Sequence, residues 1–251
     1  MLLRVELRKH LPVFVAAYLA TTAIGTAAAL APDIVTLDVV RALCTLLCWS
    51  ATTVYSAAVV FSFVVLGRDQ LFQISTRSRW QLVGLKLGVL TVLLIVQHLL
   101  TVGLQLQDLL EPAGADAAAV IGYLMLAKVV SIAAFLLSVT FLAILTKVLR
   151  GRGLSTTVFA VGLLVVIGVQ GVLLWRLGAP TTQEFFIGVG GQLFTVNLYA
   201  NILPLTLTGP NGGFLPPISG LSVVLNLIAA VVFAAGWAVL VKVRRFNFLL
   251  M

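Results

Sequence analysis

The chain has 251 residues, of which 61% are hydrophobic and 10% charged, and its formal net charge is +8. A soluble domain of this length has too small an interior to bury so much apolar surface, so lipid must surround much of the chain. Basic residues in a soluble protein would suggest nucleic acid, but here they flank apolar runs and are interpreted as topology signals, with no nucleic-acid partner.

The first ten residues, MLLRVELRKH, predict a short amphipathic helix at the inner membrane surface. On a helix Leu3, Leu7 and Leu11 share one face, which is typical of an interfacial segment. Its charged residues are Arg4, Glu6, Arg8 and Lys9. The apolar run 11–31 that follows is longer than the hydrophobic part of a cleaved signal peptide, so we interpret it as the first span.

Six apolar runs are long enough to cross the hydrocarbon core as helices, which takes about 20 residues each. They cover residues 11–31, 43–66, 82–104, 118–146, 155–177 and 219–241. No run alternates polar and apolar residues as a barrel strand would, and in lipid a helix is then the structure that satisfies the backbone. The sequence therefore predicts an all-α integral membrane protein with a single six-helix transmembrane domain.

Lysine and arginine are concentrated at one end of the predicted spans. Thirteen of the sixteen lie in the N-terminus, the segments 67–86 and 147–153 and the C-terminal tail, whereas the opposite connections hold only Arg41 and Arg176. Six of the eight acidic residues lie on that opposite side. Because cytoplasmic segments are enriched in Lys and Arg, both termini are predicted to be cytoplasmic, which requires an even number of crossings.

The stretch 184–207, EFFIGVGGQLFTVNLYANILPLTL, is apolar enough for a seventh span. A seventh crossing would place the basic C-terminal tail outside. The stretch also contains the polar residues Gln192, Asn197 and Asn201. We interpret it as an outer re-entrant segment between the fifth and sixth helices, shielded from lipid by its neighbours.

The connection between the second and third spans, residues 67–81, sets apolar side chains among basic ones. Leu71 and Ile74 would share a face of a short helix. Two interpretations stay open: an interfacial helix that stabilises a turn, and a helix that docks into a groove on a soluble partner. The basic TRSRW that follows is suited to anionic lipid headgroups.

Together with the ELRK lead and the first two spans, the stretch LFQISTRSRWQLVGLKL resembles the type-2 ATP-binding-cassette (ABC) exporter permeases. Their motif has an acidic or polar residue, an apolar pair, a Pro/Ser-Arg-aromatic element and a lysine that opens the third helix. The matching positions are Asp69, Leu71, Phe72, Ser78, Arg79, Trp80 and Lys86. Many members have a proline where this chain has Thr76 and Arg77. The family's six helices and its outer re-entrant segment match the whole chain.

The resemblance implies that residues 67–81 hold the coupling helix, which fits into a cleft of a separate ATPase subunit. The residues implied in this contact are Asp69, Gln70, Leu71, Phe72, Gln73, Ile74, Arg77, Arg79 and Trp80. It also implies a dimer with a second permease copy or a homologue, in a bacterial plasma membrane. The substrate would be an amphipathic molecule, such as an antimicrobial peptide, a drug or a lipid-like compound, exported by ATP-driven alternating access.

No G-x-x-x-x-G-K-[ST] phosphate loop occurs in the sequence, so ATP hydrolysis is expected in the partner and this chain is not expected to be an enzyme. No cofactor or metal is expected either. Cys44 and Cys48, four residues apart in one apolar run, are poorly placed for a disulfide and too few for a metal site. We interpret them as packing residues.

Five polar side chains fall inside the outer halves of the predicted spans and are candidates for a polar vestibule. They are Gln97, His98, Lys128, Gln170 and Asn226. Packing interpretations stay open for all five. The last two would hydrogen-bond to neighbouring helices, and the first two would be packing residues. Lys128 would extend to the outer surface from the start of a shorter helix.

Other functions need residues that the pattern does not provide. A membrane hydrolase needs a nucleophile with a base, or a metal, and the chain has two histidines, His10 and His98, with no G-x-S-x-G or H-E-x-x-H motif. A haem protein needs paired intramembrane histidines. A secondary transporter is the main alternative, although no acidic residue is predicted inside a span to bind a proton or sodium ion.

Overall fold

The computed structural model describes residues 2–31, 35–67, 79–104, 117–148, 152–176 and 220–244. The regular structure of these residues is entirely α-helical. The helices are α1 Leu2–Leu30, α2 Val35–Val64, α3 Arg79–Leu104, α4 Ala117–Val148, α5 Arg152–Arg176 and α6 Gly220–Arg244. Each predicted apolar run falls on one of these helices, which confirms the all-α fold.

Five helices contain segments that are long and apolar enough to cross a membrane. These segments are Leu2–Leu30, Leu43–Val64, Gln81–Thr101, Met125–Lys147 and Val223–Leu240. In α5 the apolar stretch is shorter, Thr156–Gln170. Several candidate spans fit a membrane protein, whereas a sixth crossing stays a prediction. The predicted re-entrant segment 184–207 lies outside the described residues.

The largest difference from expectation lies at the N-terminus. The predicted interfacial helix over 1–10 and the predicted span over 11–31 form one continuous helix, α1, and Pro12 lies inside it without ending it. Leu3 and Leu11 face away from the bundle, as an amphipathic pattern predicts, but Glu6 and His10 are buried. The short motif is therefore the start of a longer helix, and the side that carries Glu6 and His10 packs against α2 and α3, whereas Arg4, Arg8 and Lys9 stay exposed.

Side-chain contacts give the relative direction of the helices. Between α1 and α3 they pair Glu6 with Lys86 and Tyr18 with Leu93, and between α2 and α3 they pair Phe63 with Lys86 and Trp49 with His98. Between α2 and α4 they pair Trp49 with Lys128 and Val64 with Lys147, and α5 meets α2 and α4 where Phe159 contacts Phe61 and Gly162 lies beside Leu142. Between α4 and α6 they pair Ala134 with Ala230 and Phe141 with Gly236. Helices α1, α3 and α5 therefore run one way, and α2, α4 and α6 run the other way.

Because the helices alternate, the start of α1 and the end of α6 lie at the same end of the bundle. We call it the basic end, since most of the described Lys and Arg positions lie there. They are Arg4, Arg8, Lys9, Arg79, Lys86, Lys147, Arg152, Lys242 and Arg244. Arg41 and Arg176 lie at the opposite end. This arrangement agrees with the charge pattern that predicts both termini on one side.

The core lies between α1, α2, α3 and α4, with α4 at its centre. In the apolar part of α4, 67% of the residues are buried, against 11% in α6. Helices α5 and α6 pack on α4 and leave apolar side chains exposed on their outer sides. These include Leu164, Val165 and Val169 of α5 and Val224, Leu227 and Val231 of α6. A surface of this kind suits contact with lipid tails.

Gly236 allows α6 to approach α4 closely. A Cβ atom there would lie 2.8 Å from Cε2 of Phe141, whose ring is held against Phe233 at a centroid distance of 5.6 Å. Small residues allow such close approach between membrane helices. Gly168 of α5, in contrast, has open space beside it.

We predict that Gly236→Val lowers the free energy of unfolding by about 1–3 kcal/mol, because the added methyl groups overpack the contact with Phe141. The measurement is thermal unfolding of the purified protein in mild detergent. Gly168→Val is the matched control and should change stability much less. Equal losses in both variants would show that valine itself, not the α4–α6 contact, is responsible.

Candidate functional site

Four polar side chains from three helices meet near the basic end of the bundle. We call them the carboxylate cluster: Glu6 and His10 of α1, Tyr55 of α2 and Lys86 of α3. His10 Nε2 lies 2.9 Å from Glu6 Oε1, and His10 Nδ1 lies 2.8 Å from Tyr55 Oη. Lys86 Nζ donates a hydrogen bond to the same oxygen of Glu6. Glu6, His10 and Lys86 are each at most 2% exposed.

Helical spacing and aromatic packing explain how the cluster forms. Glu6, His10 and Phe14 follow one another at intervals of one turn, so their side chains point to the same side of α1. The ring of Phe14 packs edge-on against Tyr55 at 6.2 Å and covers the cluster from the apolar side. The Lys86 ammonium lies 4.8 Å from the ring centroid of Phe63, which adds a cation–π contact.

The cluster forms a continuous hydrogen-bonded chain from Lys86 through Glu6 and His10 to Tyr55. A buried carboxylate needs a compensating charge, and Lys86 provides it. The second oxygen of Glu6, Oε2, has no hydrogen-bond partner among the described residues. Chemically, such a chain can hold a proton or pass it between a carboxylate, an imidazole and a phenol.

A second buried group, the tryptophan cluster, consists of Trp49 of α2, His98 of α3 and Lys128 of α4. The Trp49 and His98 rings meet edge-on at 6.2 Å, and Lys128 Nζ lies 4.4 Å from the Trp49 ring centroid. All three side chains are at most 1% exposed. The predicted vestibule residues His98 and Lys128 are thus brought together, and sequence reasoning did not include Trp49.

Burial of Lys128 corrects the interpretation that this side chain extends to the outer surface from the start of a shorter helix. Helix α4 begins at Ala117, well before Lys128, and the ammonium is inside the protein. The ammonium lies over the face of the Trp49 ring, whose π-system attracts a cation. This attraction is strongest when the pair is removed from water.

The other vestibule candidates lie elsewhere. Gln170 and Asn226 form a buried hydrogen bond of 2.5 Å between α5 and α6, which is what the packing interpretation predicts for them. Gln97 is buried on the face of α3 that also carries Lys86 and Leu93, both in contact with α1. Its amide atoms have no hydrogen-bond partner among the described residues.

Most of the predicted coupling residues lie outside the described residues. These are Asp69, Gln70, Leu71, Phe72, Gln73, Ile74 and Arg77. Arg79 and Trp80 form the first turn of α3. Gly67, with a φ of 61°, lies three residues after the end of α2 and has the left-handed conformation that is common after a helix. The contact of this segment with an ATPase stays a prediction.

Sequence reasoning missed the carboxylate cluster. Glu6 was assigned to an interfacial helix, whereas it is buried near the start of α1 against Lys86 of α3. The expectation that no acidic residue lies inside a span stays a prediction. Two signals were present: the one-turn spacing of Glu6 and His10, and the position of Lys86 inside the third apolar run. Their meeting depends on the packing of α1 against α3, which spacing alone does not reveal.

Among the described residues, no group of three or more His, Cys, Asp or Glu side chains is placed to hold a metal ion. Comparisons with known proteins found no match among protein-family models, curated proteins or solved structures.

We predict that Lys86→Met lowers the free energy of unfolding by about 3–5 kcal/mol, because it removes the cation that compensates the buried Glu6 carboxylate. The double variant Glu6→Gln/Lys86→Met should recover most of this loss, since no buried charge is then left unpaired. Thermal unfolding in mild detergent measures both.

Lys9→Met is the control for this pair, because Lys9 is exposed one turn from Glu6. Its effect should stay within about 0.5 kcal/mol, as for most surface substitutions. If the double variant loses as much stability as Lys86→Met and a single Glu6→Gln variant added together, the Glu6–Lys86 pair does not hold α1 against α3.

Proposed function

We propose that this chain is the permease subunit of an ABC exporter of the type-2 kind. It would move an amphipathic substrate out of the membrane or the cytoplasm together with a separate ATPase subunit and a second permease chain. The observation that carries the proposal is the carboxylate cluster, which ties α1 to α3 next to the segment that resembles a coupling helix.

The carboxylate cluster lies where it can transmit a movement of the coupling segment to the helices. Lys86 lies seven residues after Arg79, the first residue of α3. At the rise of an α-helix this is about 10 Å from the coupling segment. A displacement of the start of α3 would move Lys86 and, through the Glu6–Lys86 pair, the start of α1. Rigid helices would then carry the movement toward the tryptophan cluster, since His98 lies about 18 Å further along α3.

The distribution of Lys and Arg also supports the exporter proposal. The basic end carries the start of α1, the end of α2, the start of α3 and the end of α6. If this end is cytoplasmic, as the distribution of Lys and Arg predicts, residues 67–81 are accessible to a soluble ATPase. Exposed apolar side chains on the first turns of α1, with Arg4 and Arg8 beside them, suit the surface of an anionic membrane.

A second candidate, proton-coupled secondary transport, is favoured by one observation. Glu6 is a buried acid in an apolar helix, and its Oε2 accepts no hydrogen bond from the described residues. Its other oxygen is hydrogen-bonded to His10, which is in turn hydrogen-bonded to Tyr55. Buried acids of this kind are the usual proton sites of transporters. Such a protein needs no ATPase, so the presence of an ATPase partner separates the two candidates.

We predict that a soluble ATPase with a phosphate-binding loop co-purifies with the wild-type chain in mild detergent and that the eluate hydrolyses ATP. Leu71→Ser/Phe72→Ser should release the ATPase, because it removes the apolar pair from the docking helix. Leu109→Ser/Leu110→Ser, an apolar pair in the opposite connection, is the matched control and should retain it.

Two results would contradict the exporter proposal. One is a wild-type chain that elutes without any ATPase, which would favour proton-coupled transport. The other is an ATPase that stays bound to the Leu71→Ser/Phe72→Ser variant as firmly as to the control, which would mean that residues 67–81 do not form the docking element.

A further inference from the structure

One side of α1 carries two arginines followed by a line of apolar residues. Arg4 and Arg8 are exposed, and the exposed side chains of Leu11, Val15 and Leu19 continue along the same side. These residues follow one another at intervals of three or four, so they form one line along the helix. We call this line the outer stripe of α1.

The outer stripe lies opposite the side of α1 that packs on α2 and α3. Glu6, which is two residues from each arginine, is turned toward the bundle and accepts a hydrogen bond from Lys86 of α3. Residues two apart do not face each other on a helix. Glu6 is also the only acidic residue among the first thirty of the chain. Within α1, therefore, no carboxylate lies beside Arg4 and Arg8.

The two arginines are spaced to bind a phosphate. Arg4 and Arg8 are one turn apart, which places their Cβ atoms about 5–6 Å from each other. Each guanidinium presents paired N–H donors in a planar fork, the geometry that matches phosphate oxygens. Arg4 also lies in the first turn of α1, which contains no acidic residue and where the helix dipole adds positive potential. Both features favour an anion with several acceptor oxygens.

The apolar part of the stripe has the length of one lipid leaflet. Leu19 lies eleven residues after Arg8, which is about 16 Å along the helix. The hydrocarbon core of a bilayer is about 30 Å thick, so the stripe reaches about half-way through it. A phospholipid with its phosphate at the arginines would have its acyl chains beside Leu11 and Val15. The positive charge of the pair favours a lipid with a net negative charge over a zwitterionic one.

We propose that the outer stripe binds one anionic phospholipid, with its phosphate between Arg4 and Arg8 and an acyl chain along the apolar part. The lipid belongs to the leaflet at the basic end of the bundle, where α1 begins. Bound there, it stabilises the rotation of α1 that directs Glu6 toward Lys86. This binding needs neither an ATPase nor a transported substrate, so it does not depend on the proposed export function.

The test is native mass spectrometry of the full chain, released from detergent micelles that contain phosphatidylglycerol or phosphatidylcholine with the same acyl chains. Titration with each lipid gives the dissociation constant of the first bound molecule. The wild type should bind phosphatidylglycerol about tenfold more tightly than phosphatidylcholine. Arg4→Gln/Arg8→Gln should weaken phosphatidylglycerol binding roughly ten- to a hundredfold, because it removes the charge-assisted hydrogen bonds to the phosphate.

Two matched variants separate the site from net charge. Arg41→Gln/Arg176→Gln removes the same two charges at the opposite end of the bundle and should bind phosphatidylglycerol like the wild type. Arg4→Lys/Arg8→Lys keeps both charges without the planar forks and should have an intermediate affinity. Because Arg4 and Arg8 are exposed, their variants should unfold at the wild-type temperature. Excess glycerol phosphate, a headgroup without acyl chains, should not displace the lipid.

Three results would overturn the proposal. They are wild-type affinity in Arg4→Gln/Arg8→Gln, an equal loss in the opposite-end control, and displacement of the lipid by glycerol phosphate. The same spectra report oligomers. If Arg4→Gln/Arg8→Gln abolishes a dimer and leaves lipid binding unchanged, the outer stripe contacts a second copy of the chain instead.

The assay contains no ATPase. A negative result therefore leaves the proposed exporter function in place, and failure of the ATPase to co-purify would leave the lipid-binding result in place.

Discussion

Lipid offers no hydrogen-bond partners, and this constraint decides where each charged residue of the chain can lie. Most of the described basic residues lie at helix ends, where water or headgroups reach them. Glu6, Lys86 and Lys128 are buried instead, and each has a partner inside the protein: Glu6 and Lys86 pair with each other, and Lys128 lies on Trp49. These contacts join α1, α2, α3 and α4 in addition to the apolar core.

The two buried polar clusters have different chemistry at different depths. The carboxylate cluster near the basic end pairs a negative charge with a positive one and connects α1, α2 and α3. The tryptophan cluster, further from that end, combines a cation with two aromatic rings and joins α2, α3 and α4. An exporter of the proposed kind would use the first to transmit movement from its ATPase to the helices.

The sequence predicted the helices well because apolar runs separated by charged connections are a strong and local signal. It predicted the clusters poorly because contacts between helices depend on rotation and register, which leave no local pattern. Glu6 in a basic, amphipathic lead looked like an interfacial residue, and Lys128 near a helix end looked like one that extends to water. Both are buried because a specific partner, Lys86 or Trp49, lies on another helix.

The most direct test of this account is the side of the membrane on which the basic end lies. In a Cys44→Ser/Cys48→Ser background, Arg4→Cys, Leu109→Cys and Arg245→Cys would each be labelled with a membrane-impermeant maleimide in right-side-out and inside-out vesicles. We expect Arg4→Cys and Arg245→Cys to react only in inside-out vesicles and Leu109→Cys only in right-side-out ones. Labelling of the two terminal positions from opposite sides would mean an odd number of crossings and would contradict the account.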